Sequence, residues 1–169
     1  MRVIYFLLAF FLIFISCKSE IKKEGTVQEK EKITSYNYNS LAPLLHKSDD
    51  TIYVINFWAT WCKPCVKELP AFEKLQAMYK SKKVKVILIS LDFPNQVESR
   101  LIPFIKKKNL QSKVILLNDP DQDIWIPKIS EKWSGAIPAT LIYNKSKRQF
   151  FEKSFSYEEL EKEVHNYLK

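Results

Sequence analysis

Apolar and polar positions divide the chain into three stretches of different character. Val3 to Ile15 is an unbroken apolar run of thirteen residues, preceded by Met1-Arg2 and closed by Ser16-Cys17. Spanning a bilayer as a helix takes roughly 20 apolar residues, so this run fits a signal-peptide core instead. From Lys18 to Thr34, nine of seventeen residues are charged and no apolar period exists. That composition predicts a solvated tether. From Asn39 onward, short β-branched and aromatic runs alternate with amphipathic stretches.

Within that third stretch the pattern predicts specific elements. Thr51–Trp58 and Val84–Leu91 read as buried strands, Val114–Leu117 and Thr140–Tyr143 as shorter ones. Pro64–Lys80 reads as a helix with Val66, Leu69, Phe72, Leu75 and Met78 or Tyr79 on one face, kinked at Pro70. Gln96–Lys108 reads as a helix, with Pro103 as an alternative start. Gln122–Trp133 holds a short helix interrupted by Pro127. Asn144–Arg148 is a turn leading into a strand over Gln149–Phe155. Tyr157–Leu168 closes the chain as a helix capped by Ser156, with Glu159 three residues on. Strand-helix alternation followed by a hairpin predicts an α/β fold, with a central mixed sheet flanked by helices. The expected organisation is a signal peptide over 1–16, a lipidated Cys17 and charged tether over 17–38, and one domain over 39–169.

Composition narrows the chemistry. The 169 residues contain only two glycines, which excludes phosphate-cradling loops of the P-loop or G-x-G-x-x-G kind. The net charge is +8, with basic clusters at Lys80/Lys82/Lys83/Lys85, Lys106-Lys107-Lys108 and Lys145/Lys147/Arg148. They read as solvated surface, with attraction to anionic lipid as a second reading. No nucleic-acid recognition motif accompanies them, so no nucleic-acid partner is expected. Asp119, Asp121 and Asp123 lack the glycine and closing Glu of a calcium loop and read as a helix-capping loop. With three cysteines and two histidines, His46 and His165, no metal site is expected.

The informative segment is Phe57-Trp58-Ala59-Thr60-Trp61-Cys62-Lys63-Pro64-Cys65. Two cysteines three apart, where a strand hands over to a helix, suit reversible disulfide chemistry. Cys62 would crown the helix N-terminus, where unpaired amides and the macrodipole favour a thiolate. Lys63 adds positive charge, and Pro64 fits the first helical turn. Cys65 lies one turn deeper. Cys62 is therefore the expected attacking thiol and Cys65 the resolving one. Half a zinc site and a purely structural disulfide are the competing readings of a bare C-x-x-C.

This segment, followed by Val66-Lys67-Glu68-Leu69-Pro70 and later by Gly135-Ala136-Ile137-Pro138-Ala139-Thr140, resembles the thioredoxin-like superfamily, and most closely its TlpA/ResA-like group of membrane-anchored thiol-disulfide oxidoreductases. The resemblance implies a thioredoxin-like fold with a β-α segment, about Asp92 to Leu117, inserted between the C-x-x-C helix and the cis-proline strand. It implies that Pro138 is the cis-proline beside the disulfide and that the Ile137 backbone, with Trp61, Lys63 and Pro64, contacts an extended client segment. Ordinary thioredoxins carry a buried Asp where this chain has Asn56. The ResA-like group shares that departure and places a Glu three residues after the second cysteine, here Glu68. A partly desolvated Glu68 with a raised pKa is then expected to manage the Cys65 proton. Cys17 after an apolar core resembles a bacterial lipoprotein signal, although Phe14-Ile15-Ser16 departs from the usual preceding residues. No cofactor beyond the Cys62–Cys65 disulfide is implied. The expected partners are disulfide-bearing proteins on the periplasmic side of a bacterial membrane, apocytochromes c among them, and a membrane electron donor. A peroxiredoxin-like peroxidase and a copper carrier on the same fold are the alternatives.

Overall fold

The computed structural model describes residues 32–168. The leader, Cys17 and most of the expected tether lie outside them. Among the described residues, no helix is long and apolar enough to cross a membrane.

Six strands form one mixed sheet. β2 (Ile52–Trp58) lies at its centre and is buried along all seven residues. It pairs in parallel with β3 (Val84–Ser90) and antiparallel with β5 (Ala139–Tyr143). β4 (Lys113–Leu117) continues the parallel side and β6 (Arg148–Phe151) the antiparallel side. The far edge is β1 (Thr34–Tyr36), parallel to β4, giving the order β1-β4-β3-β2-β5-β6. β1 lies inside the stretch expected to be tether, so the folded body begins before Asn39. The polar triplet Thr34-Ser35-Tyr36 has no apolar run to announce it and owes its state to pairing with β4. The expected β-α insertion is present and adds β4 between β3 and β1.

Side chains on the two faces of the sheet form two cores. On one face α2 (Lys63–Tyr79) packs Leu69, Phe72, Leu75 and Tyr79 against Val54, Val86 and Leu88. Tyr79 rather than Met78 completes its buried stripe, and Met78 is exposed. Burying a side chain such as Phe72 stabilises the fold by about 1.5–3 kcal/mol. α2 runs through Pro70, whose missing amide leaves the Val66 carbonyl without its helical partner. α5 (Tyr157–His165) joins this face with Leu160 and Val164, and begins with the expected capping box between Ser156 and Glu159. On the other face, α1 (Tyr38–Leu41) and α4 (Gln122–Ile129) cover Ile55, Phe57 and Leu141 with Leu41, Trp125 and Ile129.

Proline placement explains two further boundaries. A wide π-type turn over Val97–Leu101 feeds α3 (Ile102–Lys108), setting Pro103 in the first turn, where no amide is needed. α4 continues through Pro127 to Ile129. Asp121 occupies the N-cap of α4 without a side-chain capping bond, contrary to the expected capping role. Asp119 instead accepts from the Tyr38 amide at 2.9 Å, tying α1 to the end of β4. β6 stops at Phe151, short of the expected Phe155. Glu152 turns aside to accept from the Ser134 amide and hydroxyl, and Phe155 leaves the sheet to meet α2.

Candidate functional site

Cys62 and Cys65 sit where the central strand ends and α2 begins, and they are joined as a disulfide with Cα atoms 5.3 Å apart. Cys62 is the N-cap of α2, and its sulfur accepts from the Cys65 amide at 3.3 Å. The helix end thus directs a backbone donor at the expected attacking sulfur. No acidic residue occupies the first turn to oppose the dipole. Cys65 is fully buried, whereas Cys62 retains a little exposure. Lys63 and Pro64 are exposed on the first turn. Trp61 stands 45% exposed next to Cys62, a large apolar side chain at the rim rather than in the core.

The second wall comes from the loop before β5. The Ile137–Pro138 peptide bond is cis, as the resemblance implies. Cys62 Sγ lies 3.7 Å from the Ile137 carbonyl oxygen. Gly135 supplies a positive φ of 95° in the same loop, a conformation that favours glycine. Trp133 donates its indole N–H to the Ala136 carbonyl at 2.8 Å and pins the approach.

Glu68 lies one turn beyond Cys65 and is buried. Its Oε1 accepts from Asn56 Nδ2 at 2.8 Å, and its Oε2 accepts from the Phe155 amide at 2.8 Å. Burial pushes its pKa up to about 7, and these two hydrogen bonds only partly offset that rise. Antiparallel register places Thr140 opposite Asn56, so the same amide group also meets Thr140 Oγ1 at 3.3 Å. Asn56 Oδ1 is buried without a partner. A cleft of about 530 Å³, lined by Pro64, Lys67, Glu68, Phe155 and Tyr157, opens beside the carboxyl and connects it to solvent.

Sequence reasoning missed a second carboxylate. Asp92, just past β3, is buried. It accepts from the Thr60 amide at 3.0 Å, from Thr60 Oγ1 at 2.5 Å and from Ser90 Oγ at 2.8 Å. The Trp58 carbonyl accepts from the Leu91 amide at 2.8 Å, so the loop before Cys62 is clasped to the end of β3. The available signal was an Asp directly after an apolar run, together with a Thr two residues before Cys62. Thr60→Val is expected to lower stability by about 1–3 kcal/mol in urea unfolding, because it deprives a buried carboxylate of a donor. It should also speed amide exchange at Trp61 and Cys62.

Other sequence candidates lie elsewhere. His165 packs on Tyr79 at the far end of α2, and His46 follows the 3-10 turn Ala42–Leu45. Cys17 lies outside the described residues. Among the described residues, no group of three or more His, Cys, Asp or Glu is placed to hold a metal ion.

The chain is similar to thiol-disulfide proteins. It is 31% identical over 98 residues to the thioredoxin-like protein YneN of Bacillus subtilis, covering 56% of this chain and 57% of that one. It is 39% identical over 62 residues to the thiol-disulfide oxidoreductase ResA of Bacillus cereus, covering 37% of this chain and 34% of ResA. The matches thus span about a third to a little over half the length of these relatives. Its fold resembles that of StoA from Bacillus subtilis, with TM-score 0.53 and 24% identity over 69% of this chain and 84% of that one. It also resembles a DsbF homologue from Corynebacterium diphtheriae, with TM-score 0.58 and 23% identity over 75% of this chain and 76% of the other. The sequence profile of the AhpC/TSA family matches residues 21–148, most of the chain, and the protein belongs to that thioredoxin-like family.

Proposed function

We propose that the protein is an exported, membrane-tethered thiol-disulfide oxidoreductase that reduces disulfides of extracytoplasmic proteins through Cys62 and Cys65. The observation that carries this reading is the Cys62–Cys65 disulfide at the N-terminus of α2, with Glu68 buried one turn behind it. In the reduced protein, Cys62 as thiolate attacks one sulfur of a client disulfide. An S–S bond to the client forms, and the client's other sulfur leaves as a thiolate. Cys65 then passes its proton to the Glu68 carboxylate and attacks Cys62. This closes the Cys62–Cys65 disulfide and releases the client's second thiol. Two electrons move from the protein to the client, and a membrane electron donor restores the dithiol.

The Ile137 carbonyl, Pro138 and Trp61 line the place where an extended client backbone would lie. Apocytochromes c fit as clients by the likeness to ResA, and Cys17 fits as the site of a lipid anchor. The disulfide is the only redox group the reaction requires. A peroxidase reading is weaker, because Thr60 is committed to Asp92 and no proline precedes it in the required spacing. A copper carrier is weaker too, because His165 sits at the opposite end of α2 from Cys62.

Redox titration of the purified protein tests the reading. The pair is expected to cycle reversibly, with a potential inside the range of about −270 to −120 mV spanned by other C-x-x-C proteins. The reduced form is expected to reduce a protein disulfide and to leave hydrogen peroxide unconsumed. Failure to cycle, or peroxide turnover faster than disulfide turnover, overturns it.

A further inference from the structure

The lysine clusters are remote in sequence, but the topology gathers several of them. β1, β2, β3 and β4 run parallel, so their first residues share one end of the sheet. Cys62 follows the last residue of β2 at the opposite end. At the starting end, Lys32 precedes β1, Lys83 precedes β3 and Lys113 opens β4. α2 runs out into Lys80–Lys82, and α3 ends on Lys106-Lys107-Lys108.

Two adjoining grooves record how close these groups come. Lys80 and Lys108 line one, and Lys32, Lys106 and Lys113 line the other, with Asn109, Leu110 and Gln111 shared between them. Glu73 is the one acidic side chain in the lining of either groove. Its two oxygens are occupied by the amides of Gln111 and Ser112. The lysines are all exposed. Asp49 and Asp50 precede β2 at the same end, where Asp50 pairs with Lys83 and Lys145 and lies outside both grooves. The opposite end carries Asp119, Asp121 and Asp123 after β4, and Glu158 and Glu159 at the start of α5.

Compensation of helix dipoles accounts for a lysine at the end of α3. It does not account for Lys32 and Lys113, which sit at strand starts. We propose that this lysine-rich end is a docking surface for an anionic lipid bilayer, which holds the domain with Cys62 and Cys65 facing away from the membrane. Exposed ammonium groups drawn from four chain segments suit the diffuse field of a headgroup layer better than one defined anion. β1, the strand that follows the expected attachment region in sequence, also starts at this end of the sheet. The proposal rests on the membrane attachment put forward above. It deepens that reading by fixing which end of the domain meets soluble clients.

The test uses the full chain on vesicles of phosphatidylcholine alone, or with added phosphatidylglycerol, probed by a membrane-impermeant amine-acylating reagent. Labelling of Lys106, Lys107, Lys108 and Lys113 is expected to fall at least about threefold on the anionic vesicles. It should recover at about 0.5 M salt, where screening is short-ranged. Lys63 and Lys67, beside Cys62, should label equally on both. Equal labelling of Lys106–Lys108 on both vesicles, with the chain floating on both, overturns the proposal. Protection by polyglutamate but not by the anionic vesicles also overturns it, in favour of an acidic protein partner.

Failure to float on phosphatidylcholine at any salt would instead sink the attachment reading. The docking proposal is then decided on phosphatidylglycerol at low salt. Flotation that falls about tenfold in the K106Q/K107Q/K108Q variant supports it, and absence of flotation, or flotation untouched by the variant, overturns it.

Discussion

With Cys65 replaced by Ala, the reduced protein is expected to accumulate as a mixed disulfide joined to its client through Cys62. With Cys62 replaced by Ala, no such adduct should form. Both variants should lose disulfide-reductase turnover by a factor of about 10³ or more, because the covalent route is broken in each. The asymmetry follows from position. Cys62 is the N-cap, carries the residual exposure and receives the Cys65 amide. Cys65 is fully buried and reaches only the sulfur of its neighbour. Non-reducing electrophoresis with mass spectrometry of the adduct reads the result. Equal trapping by the two variants would reverse the assigned roles.

Glu68→Gln should have the second largest effect, visible both in catalysis and in stability. The carboxyl titrates at about 7 in the folded protein against an ordinary value of 4.5, because it is buried. The folded state therefore binds this proton more tightly than the unfolded state. The stability linked to it is fully present below about pH 4.5 and is lost as pH rises through 7, levelling off above. The loss is at most about 3 kcal/mol, since each pKa unit corresponds to about 1.4 kcal/mol. Chemical denaturation of the oxidised protein across pH 4–9 should show that slope, and Glu68→Gln should flatten it.

The same variant should slow resolution of the mixed disulfide about 10²-fold near neutral pH and remove the inflection near pH 7 from its rate profile. The substitution is compatible with folding. Asn56 can turn its amide so that its unpartnered Oδ1 accepts from the new side chain. A rate profile identical to wild type would exclude a proton-handling role for Glu68.

Much of this site was legible because its parts lie within one short stretch. Strand, cysteines and proline occupy Phe57 to Cys65 and follow from local rules about helix starts and spacing, whereas Glu68 was reached through the family likeness. The cis-proline loop was reachable through a family likeness rather than from its residues, since nothing local distinguishes Ile137-Pro138 from other X-Pro bonds. What stayed hidden depends on partners distant in the chain. The Asp92–Thr60 clasp joins residues thirty-two positions apart, and the Phe155–Glu68 bond joins residues eighty-seven apart. β1 was invisible for the same reason, because its three polar residues become a strand only beside β4. The charge clusters were visible as runs but not as a shared surface, since only the sheet's order sets Lys32, Lys106 and Lys113 around one groove.

The amide that holds Glu68 belongs to Phe155, in the final fifteen residues of the chain. A polypeptide emerging amino end first would present both cysteines well before that tail arrives. Until then Glu68 is present beside them but lacks one of the two hydrogen bonds that hold its carboxyl. A product cut before Phe155 would keep Cys62, Cys65 and Glu68 but lose the amide that fixes the carboxyl behind the sulfurs.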